Sequence, residues 1–460
     1  MMDSSANIAF REHLDSRMKG LWQDRQSFWL HWRELADFIL HRRYKWLITP
    51  NQYNRGSPIN TNIFDSTGTI AARTCASGMM SGITSPTRPW FKLRIRRYDE
   101  DETGPVAIWL ADTTQRMMKV YQESNFYNAM ATVFADLVVF GTAVNLIYED
   151  HEDVIRCYNP CAGEYYLSIS DRYKVDTIYR EFTMSVKAIA EWFGPDNLPP
   201  AQRTIYEQGG ASSLLECVVC HGIEPNIQNL GSVPKYFPWR ETYWVRGSGP
   251  GEILGERGFH EFPALCPRWD LVSNDAYGRS PAMDALGDIK QLQQETKRKA
   301  QAIDKMVNPP LVGDVQLRNQ PASQLPGGVT WVSGLQTNPG LKPIFQVMPP
   351  VQEIMLDIQE VQKRIKDIFF NDLFQMISQL QTVRTATEID ARREEKLILL
   401  GPVLERFENE ALDPAIDRTF NIMRRFNLLA PPPPEIEGMP IEVEYVSMLA
   451  QAQRATGTAG

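Results

Sequence analysis

The sequence predicts a helix-rich α+β fold, and three features carry that reading. One long helix is punctuated at both ends, entered by Ser280-Pro281 and stopped by Asn308-Pro309-Pro310. Two further stretches, 7–42 and 351–380, repeat apolar residues near the 3.6-residue period of a helix. Between 151 and 270 the chain reads instead as strands and turns.

In order, 7–42, a helix or a pair of helices, owes its apolar stripe to Leu14, Met18, Leu21, Trp22, Phe28, Trp29, Trp32, Leu35, Phe38 and Ile39, with Gly20 the candidate point of division. Residues 62–82 form a helix of small side chains, Gly68, Ala71, Ala72, Ala76 and Gly78 among them, which lets a neighbour approach closely. In 90–96, Phe91, Leu93 and Ile95 alternate with Lys92, Arg94 and Arg96, as in a half-buried strand. Helices at 103–123 and 125–140 follow, the second ending at Gly141 before an apolar strand at 143–149. The clearest strands of the β-rich block are 175–182, 214–221 and 241–245, with a helix near 185–193 and a hairpin loop at 247–251.

The helix at 282–307 is about 26 residues, roughly 39 Å long. Apolar residues mark its ends: Met283, Leu286 and Ile289, then Ile303, Met306 and Val307. Its middle, 293–299, reads Gln-Gln-Glu-Thr-Lys-Arg-Lys. Two turns that are polar all round do not suit a core helix; they predict packing against copies of the same chain or a water-filled passage. Residues 309–348 are rich in Pro and Gly and read as loop and short strand. The amphipathic helix 351–380 places Ile354, Ile358, Val361, Ile365, Ile368 and Phe369 on one face. A last helix, 387–428, is expected to break at Gly401-Pro402 and near Pro414, and the run 431–434 to act as a stiff spacer.

Composition bounds the function. A chain of 460 residues with 43% hydrophobic and 23% charged residues is ordinary for a globular protein of two to four domains. It has no run of 18 apolar residues and no basic-then-apolar leader, so neither a membrane span nor a secretory signal is expected. The six cysteines in so long a chain read as reduced thiols. A net charge of -8 argues against a tight grip on nucleic-acid phosphates.

Catalytic signals are poor. Cys217-Val218-Val219-Cys220-His221 matches the haem-attachment pattern, but it lies in an alternating strand whose cysteines do not face one way. Pairing it with Cys157 and Cys161 makes a badly spaced zinc site; buried thiols are the expectation. No phosphate loop and no His-Glu-x-x-His occurs. Glu394 and Glu395, beside Arg392 and Arg393, read as a solvated helix face. Trp22, Trp29 and Trp32, interleaved with Arg25 and Arg33, read as packing rather than as a single-strand stacking platform. No catalytic, cofactor or metal residue is assigned. The alternative function is a metal-dependent DNA-processing enzyme built on the acidic helix or the Cys/His residues.

Several segments carry a resemblance: Phe64-Asp65-Ser66-Thr67, Ser85-Pro86-Thr87 with Pro89-Trp90-Phe91-Lys92-Leu93, and Asn125-Phe126-Tyr127 leading to Phe140-Gly141-Thr142-Ala143. Tyr277-Gly278-Arg279-Ser280-Pro281 precedes the long helix. Thr385-Ala386-Thr387-Glu388-Ile389 leads through Leu400-Gly401-Pro402-Val403 to Glu410-Ala411-Leu412-Asp413-Pro414, the most specific match, and Tyr445-Val446-Ser447-Met448-Leu449-Ala450-Gln451-Ala452-Gln453 closes the series. In this order, over nearly the whole chain, they resemble the portal (head-to-tail connector) proteins of short-tailed bacteriophages. Members of that family usually continue past the last segment, whereas this chain stops at Gly460, so the expectation is a short member or a chain without its tail.

The resemblance implies the portal fold, a ring of normally twelve subunits around a central channel, with wing, stem, clip and crown. Here the wing maps to 1–281, the stem helix to 282–307, and the clip and return segment with its channel loop to 308–345. A long wing and channel helix maps to 346–401, and a crown-proximal helical region to 402–460. It also implies a non-enzymatic conduit for double-stranded DNA in packaging and ejection, at a capsid vertex of the virion and in the host cytoplasm during assembly. The implied partners are further copies of the chain, the terminase large subunit, major capsid and scaffolding proteins and a tail adaptor, with no membrane. Lys297, Arg298, Lys299 and Lys342 become channel candidates, a weak positive belt on passing DNA. Glu295 and Asp304 become stem or intersubunit candidates that would hold the stem cations as salt bridges instead.

Overall fold

One helix, α1 (Ser4–Phe38), joins two cores. The computed structural model describes residues 4–41, 63–95, 104–226, 231, 233–307, 311–312, 342–343, 350–379, 398–436 and 438–451. Leu14, Met18 and Leu21 near the start of α1 pack on Tyr166, Tyr179, Cys220 and Trp244 of a sheet. Trp32, Leu35 and Ala36 near its end enter the main helical core. There the Trp32 indole donates to the Phe140 carbonyl at 3.0 Å and meets the Tyr277 ring edge-on at 5.3 Å. Of the two readings, one helix or a pair divided at Gly20, the single helix holds: α1 runs straight through, and tertiary packing on both sides outweighs the weak propensity of one glycine.

The helical core is built from α2 (Thr67–Ile83), α3 (Pro105–Glu123) and α4 (Phe126–Phe140). The small residues of α2 do what the sequence predicts. At Gly78 the Phe374 ring occupies the place a Cβ would take. Gly141, in the left-handed region at φ 74°, ends α4, with the Gly278 carbonyl where a side chain would begin. Strand β1 (Phe91–Ile95) alternates buried and exposed residues as expected.

Two sheets follow α4. In the smaller, β2 (Asn145–Asp150) lies between β3 (Val154–Tyr158) and a short strand, Ala264–Leu265. The larger is an antiparallel meander of β4 (Tyr165–Ile169), β5 (Val175–Ser185), β6 (Glu216–Pro225), β7 (Trp239–Val245) and β8 (Gly255–Phe259), in that spatial order; the short strand is β9. Helices α5 (Val186–Phe193) and α6 (Pro200–Gln208) connect β5 to β6; α6 was not legible in the sequence. The glycine-rich stretch 247–251 lies in the β7–β8 hairpin connection, as expected.

The C-terminal half departs from expectation in three places. The predicted helix 351–380 is two helices, α8 (Val351–Ile368) and α9 (Asn371–Gln379), because Phe370 takes φ 55°. That turn seats Phe369, Leu373 and Phe374 together in the core. The break expected at Gly401-Pro402 is absent: 398–407 is continuous helix, with Leu400, Val403, Leu404 and Phe407 buried. Near Pro414 the interruption is a π-helical turn, Glu408–Leu412, leading into α10 (Asp413–Arg425) without ending the helix. Proline lacks the N–H and crowds the carbonyl four residues back, and the wider turn accommodates both. Finally, β12 (Ile441–Tyr445) pairs antiparallel with β1, matching Phe91 to Tyr445 across most of the chain; β10 and β11 are the two-residue strands Leu311–Val312 and Lys342–Pro343.

One face of the five-stranded sheet carries a buried polar chain. Arg180 donates through Nε to His221 Nδ1 at 2.8 Å, which leaves the proton of this imidazole on Nε2 and aims it at Glu241, 2.9 Å away. Tyr243 donates to the same carboxylate at 2.8 Å, and Arg180 reaches Glu164 at 3.3 Å. Burial pushes His221 down to about 4, although the bond to Glu241 favours its charged form. Burial works the other way on Glu241, but the His221 hydrogen bond holds the carboxyl below its ordinary value.

Two outcomes follow. Replacing Gly141 by Ala should lower stability by about 3 kcal/mol or more, read as a lower denaturation midpoint, since strain and collision add. For His221 the unfolded state binds the extra proton, so its contribution is full above pH 6.5 and is lost as pH falls towards 4. That loss is about 3 kcal/mol, and in denaturation series His221→Asn should flatten the stability slope across this window.

Candidate channel and intersubunit surface

Helix α7 (Pro281–Val307) is held at its start as the sequence predicts. Ser280 accepts from the Met283 backbone N–H at 3.2 Å and donates to the Val139 carbonyl at 2.7 Å, and Pro281 opens the first turn. Ala282, Met283, Ala285, Leu286, Ile289 and Leu292 are buried, so the first half of α7 is a core helix of this chain.

The polar run does not begin in water. Gln293, its first residue, is only 5% exposed. Its Oε1 accepts from the backbone N–H groups of Phe64 and Asp65 at 2.7 and 2.9 Å, and its Nε2 donates to the Asp65 carbonyl at 2.8 Å. Asp65 also accepts from Gln362 of α8 at 2.7 Å and from the Thr67 N–H at 2.7 Å, so α2, α7 and α8 meet at one point. The Arg364–Asp288 ion pair, at 3.3 Å, ties α8 to the first half of α7. Nothing in the polar pattern distinguished Gln293 from its neighbours; its partners come from a segment more than two hundred residues earlier.

Beyond Gln293 the helix leaves the core. No residue from 294 to 307 is buried. Ile303, Met306 and Val307 are 40%, 48% and 74% exposed, and Met355 and Leu356 of α8 are exposed as well. Lys297 lies in the open with its ammonium 5.6 Å from the centre of the Phe64 ring. Arg298 is exposed and Lys299 half-buried. The half-buried Glu295 accepts from Gln291 on its own helix at 2.6 Å, and Asp304 is exposed. Within one chain the structure therefore does not bring Lys297, Arg298 or Lys299 onto Glu295 or Asp304 among the described residues. Lys342 pairs through its backbone with Val312. The loop at 334–341 and the acidic pair Glu394 and Glu395 lie outside the described residues.

The other candidates resolve differently. Cys217 and Cys220 point to opposite faces of β6: Cys220 sits with the α1 contacts, Cys217 under α5. Among the described residues no three His, Cys, Asp or Glu side chains converge as a metal site. Arg25 is buried, donates to the Gly163 and Tyr165 carbonyls at 2.9 and 2.8 Å, and lies over the Tyr166 ring, so it is not offered to a nucleic acid. Trp32 is core, while Trp22 is exposed. No helix among the described residues is long and apolar enough to cross a membrane.

Comparison with known proteins agrees with the motifs quoted from the sequence. The profile of the bacteriophage head to tail connecting protein family matches residues 11–460. A probable portal protein of Bordetella phage BPP-1 is 41% identical over 451 residues, which are 97% of this chain and 80% of the relative. The portal protein of Salmonella phage epsilon15 is 43% identical over the same length and shares. A match over nearly the full length, with the resembling segments in order, leaves one conclusion: the chain belongs to the bacteriophage head to tail connecting protein family.

Proposed function

We propose that this chain is a portal subunit, one of about twelve in a ring at a capsid vertex of the virion, through which double-stranded DNA passes during packaging and ejection. The observation that carries the reading is the distal half of the α7–α8 hairpin, which leaves Ile303, Met306 and Val307 in solvent on a helix anchored firmly at its other end. A single copy gains nothing by exposing three large apolar side chains beside a solvated run of cations. Sibling copies around a bore bury the apolar flank and keep the polar flank wet. Family membership, and the name portal protein carried by both relatives, point the same way.

In this reading α7 is the stem and its first half roots it in the wing, 1–281. The β10–β11 ladder belongs to the clip and return segment, 308–345, α8 to the wing and channel region, 346–401, and α10 to the crown-proximal region. The terminase large subunit, major capsid and scaffolding proteins and a tail adaptor dock on the ring, which is assembled in the host cytoplasm. The chain does no bond chemistry. Its net charge of -8 suits a conduit, because strong phosphate contacts would hold the duplex through counterion release. Lys297, Arg298 and Lys299 face the bore as a weak belt, with Lys342 near its path.

Native mass measurement of the purified particle tests the ring, with a closed assembly of about twelve copies expected. A stable monomer would sink the reading. Placing Asp at Ile303, Met306 and Val307 together should prevent ring closure yet leave the melting of the chain nearly unchanged, since none is buried within it. Ala at Lys297, Arg298 and Lys299 together should leave the ring mass intact; loss of assembly would instead assign them to bridges with Glu295 and Asp304 of neighbours.

A further inference from the structure

A groove of ≈ 1100 Å³ lies between β1 and α3. The two elements run antiparallel along it: the Leu93 N–H reaches Thr114 Oγ1 at 3.3 Å, while Gln122, later on α3, donates to the carbonyl of the earlier Pro86 at 3.2 Å. The charge of the groove is one-sided. Arg88, Lys92, Arg116 and Lys119 line it against a single carboxylate, Asp112, on a chain whose net charge is -8. All four cations are exposed. Three of them, Arg88, Arg116 and Lys119, gather at the end of the groove formed by the last two turns of α3.

Their partners leave positive charge over. Arg116 holds Asp112 at 2.7 Å, so the one acid of the lining is engaged. Lys119 meets Glu123 on its own helix at 3.5 Å, with the two side chains 71% and 61% exposed, a contact of little strength. Lys92 stands across the ladder from Glu444, which Arg94 holds at 2.7 Å, and Arg88 meets only the Met448 thioether, at 3.2 Å, among the described residues. Residues 96–103, which join β1 to α3, lie outside the described residues; their sequence contains Asp99-Glu100-Asp101-Glu102, the only run of four acids in the chain. Within its own chain this run is tied to the wrong end of the groove. Lys119 lies about 22 Å along α3 from Gly104, whereas Asp99 and Glu102, five and two residues before Gly104, reach at most about 18 and 7 Å from it when fully extended.

We propose that this groove receives the Asp99-Glu100-Asp101-Glu102 run of a neighbouring copy of the chain. The carboxylates lie along Arg88, Arg116 and Lys119. Each copy gives its run from the near end of its groove and accepts another at the far end, so two different patches meet head to tail. Contacts of that kind close into rings, and opposite charge across them fixes which way round the neighbours sit. The inference rests on the ring reading and adds a charged contact in the wing to the apolar one on the stem.

Native mass measurement of the full chain over a dilution series tests it. Two variants are compared: Arg88→Glu with Lys119→Glu, and Asp99→Lys with Glu100→Lys, Asp101→Lys and Glu102→Lys. Each should raise the concentration at which the ring breaks down by about tenfold or more, since like charges then face each other. Arg88 and Lys119 are exposed, so unchanged melting confirms that the first variant folds. An equimolar mixture of the two should restore the ring, because alternating chains oppose unlike charges at every contact. A ring indifferent to either reversal would overturn the proposal. So would a mixture no more stable than its components, the result expected of a run that acts within its own chain. A monomeric unsubstituted chain would remove the ring reading and this inference with it, whereas the other two outcomes leave that reading standing.

Discussion

The contact between Asp65 and Gln293 is where the architecture turns from core to solvent. Asp65 uses its N–H, its carbonyl and both carboxylate oxygens to tie α2, α7 and α8 together, and Gln293 satisfies two backbone donors that burial would otherwise leave unpaired. Up to that point α7 is held by apolar side chains on all neighbouring helices. Past it, no residue of the helix is buried among the described residues. A long helix projecting from a domain behaves as a rigid arm only if its root is fixed, and here the root is fixed by polar bonds inside the protein rather than by the helix's own propensity.

Buried ions tie distant parts of the chain together in the same way. Arg268, almost fully buried, bonds Glu410 through Nε at 3.2 Å and a terminal nitrogen at 2.5 Å, and also reaches the carbonyls of Tyr173 and Asp275. This joins the end of the β-rich block to the π-helical turn, so the widened helix is a docking point for Arg268 as well as an accommodation of Pro414. Such pairs add little net stability when complete, but they cost several kcal/mol when broken, which makes them effective at specifying one relative placement of sheet and helices. The Arg180–His221–Glu241 chain does this within the sheet.

Much of the fold was legible because it rests on local rules. The start of α7 at Ser280-Pro281, the end of α4 at Gly141 and the alternation in β1 depend on φ restriction, missing donors and side-chain period, all of which act within a few residues. The misreadings share one cause. Gly401 and Pro402 are weak formers that a local reading takes as breaks, and Gly20 one that it takes as a candidate break, yet each lies in a continuous helix held by contacts from far away in the chain. Conversely, the break at Phe370 lies inside an unbroken amphipathic pattern, and only the need to seat three aromatic and aliphatic side chains in the core explains it.

The candidate surface divides along the same line. By itself, the sequence determined that a polar stretch sits in mid-helix with apolar residues at both ends, that the chain is acidic, and that its ordered motifs are those of the head to tail connecting family. Only the tertiary structure decided that the near end of that helix is core and the far end is not, that Gln293 is inside while Lys297 and Arg298 are outside, and that a cationic groove opens between β1 and α3. The reason is range. Periodicity reports which side chains share a face, but whether that face meets protein or water depends on partners such as Phe64 and Asp65, which the chain brings close only when it folds.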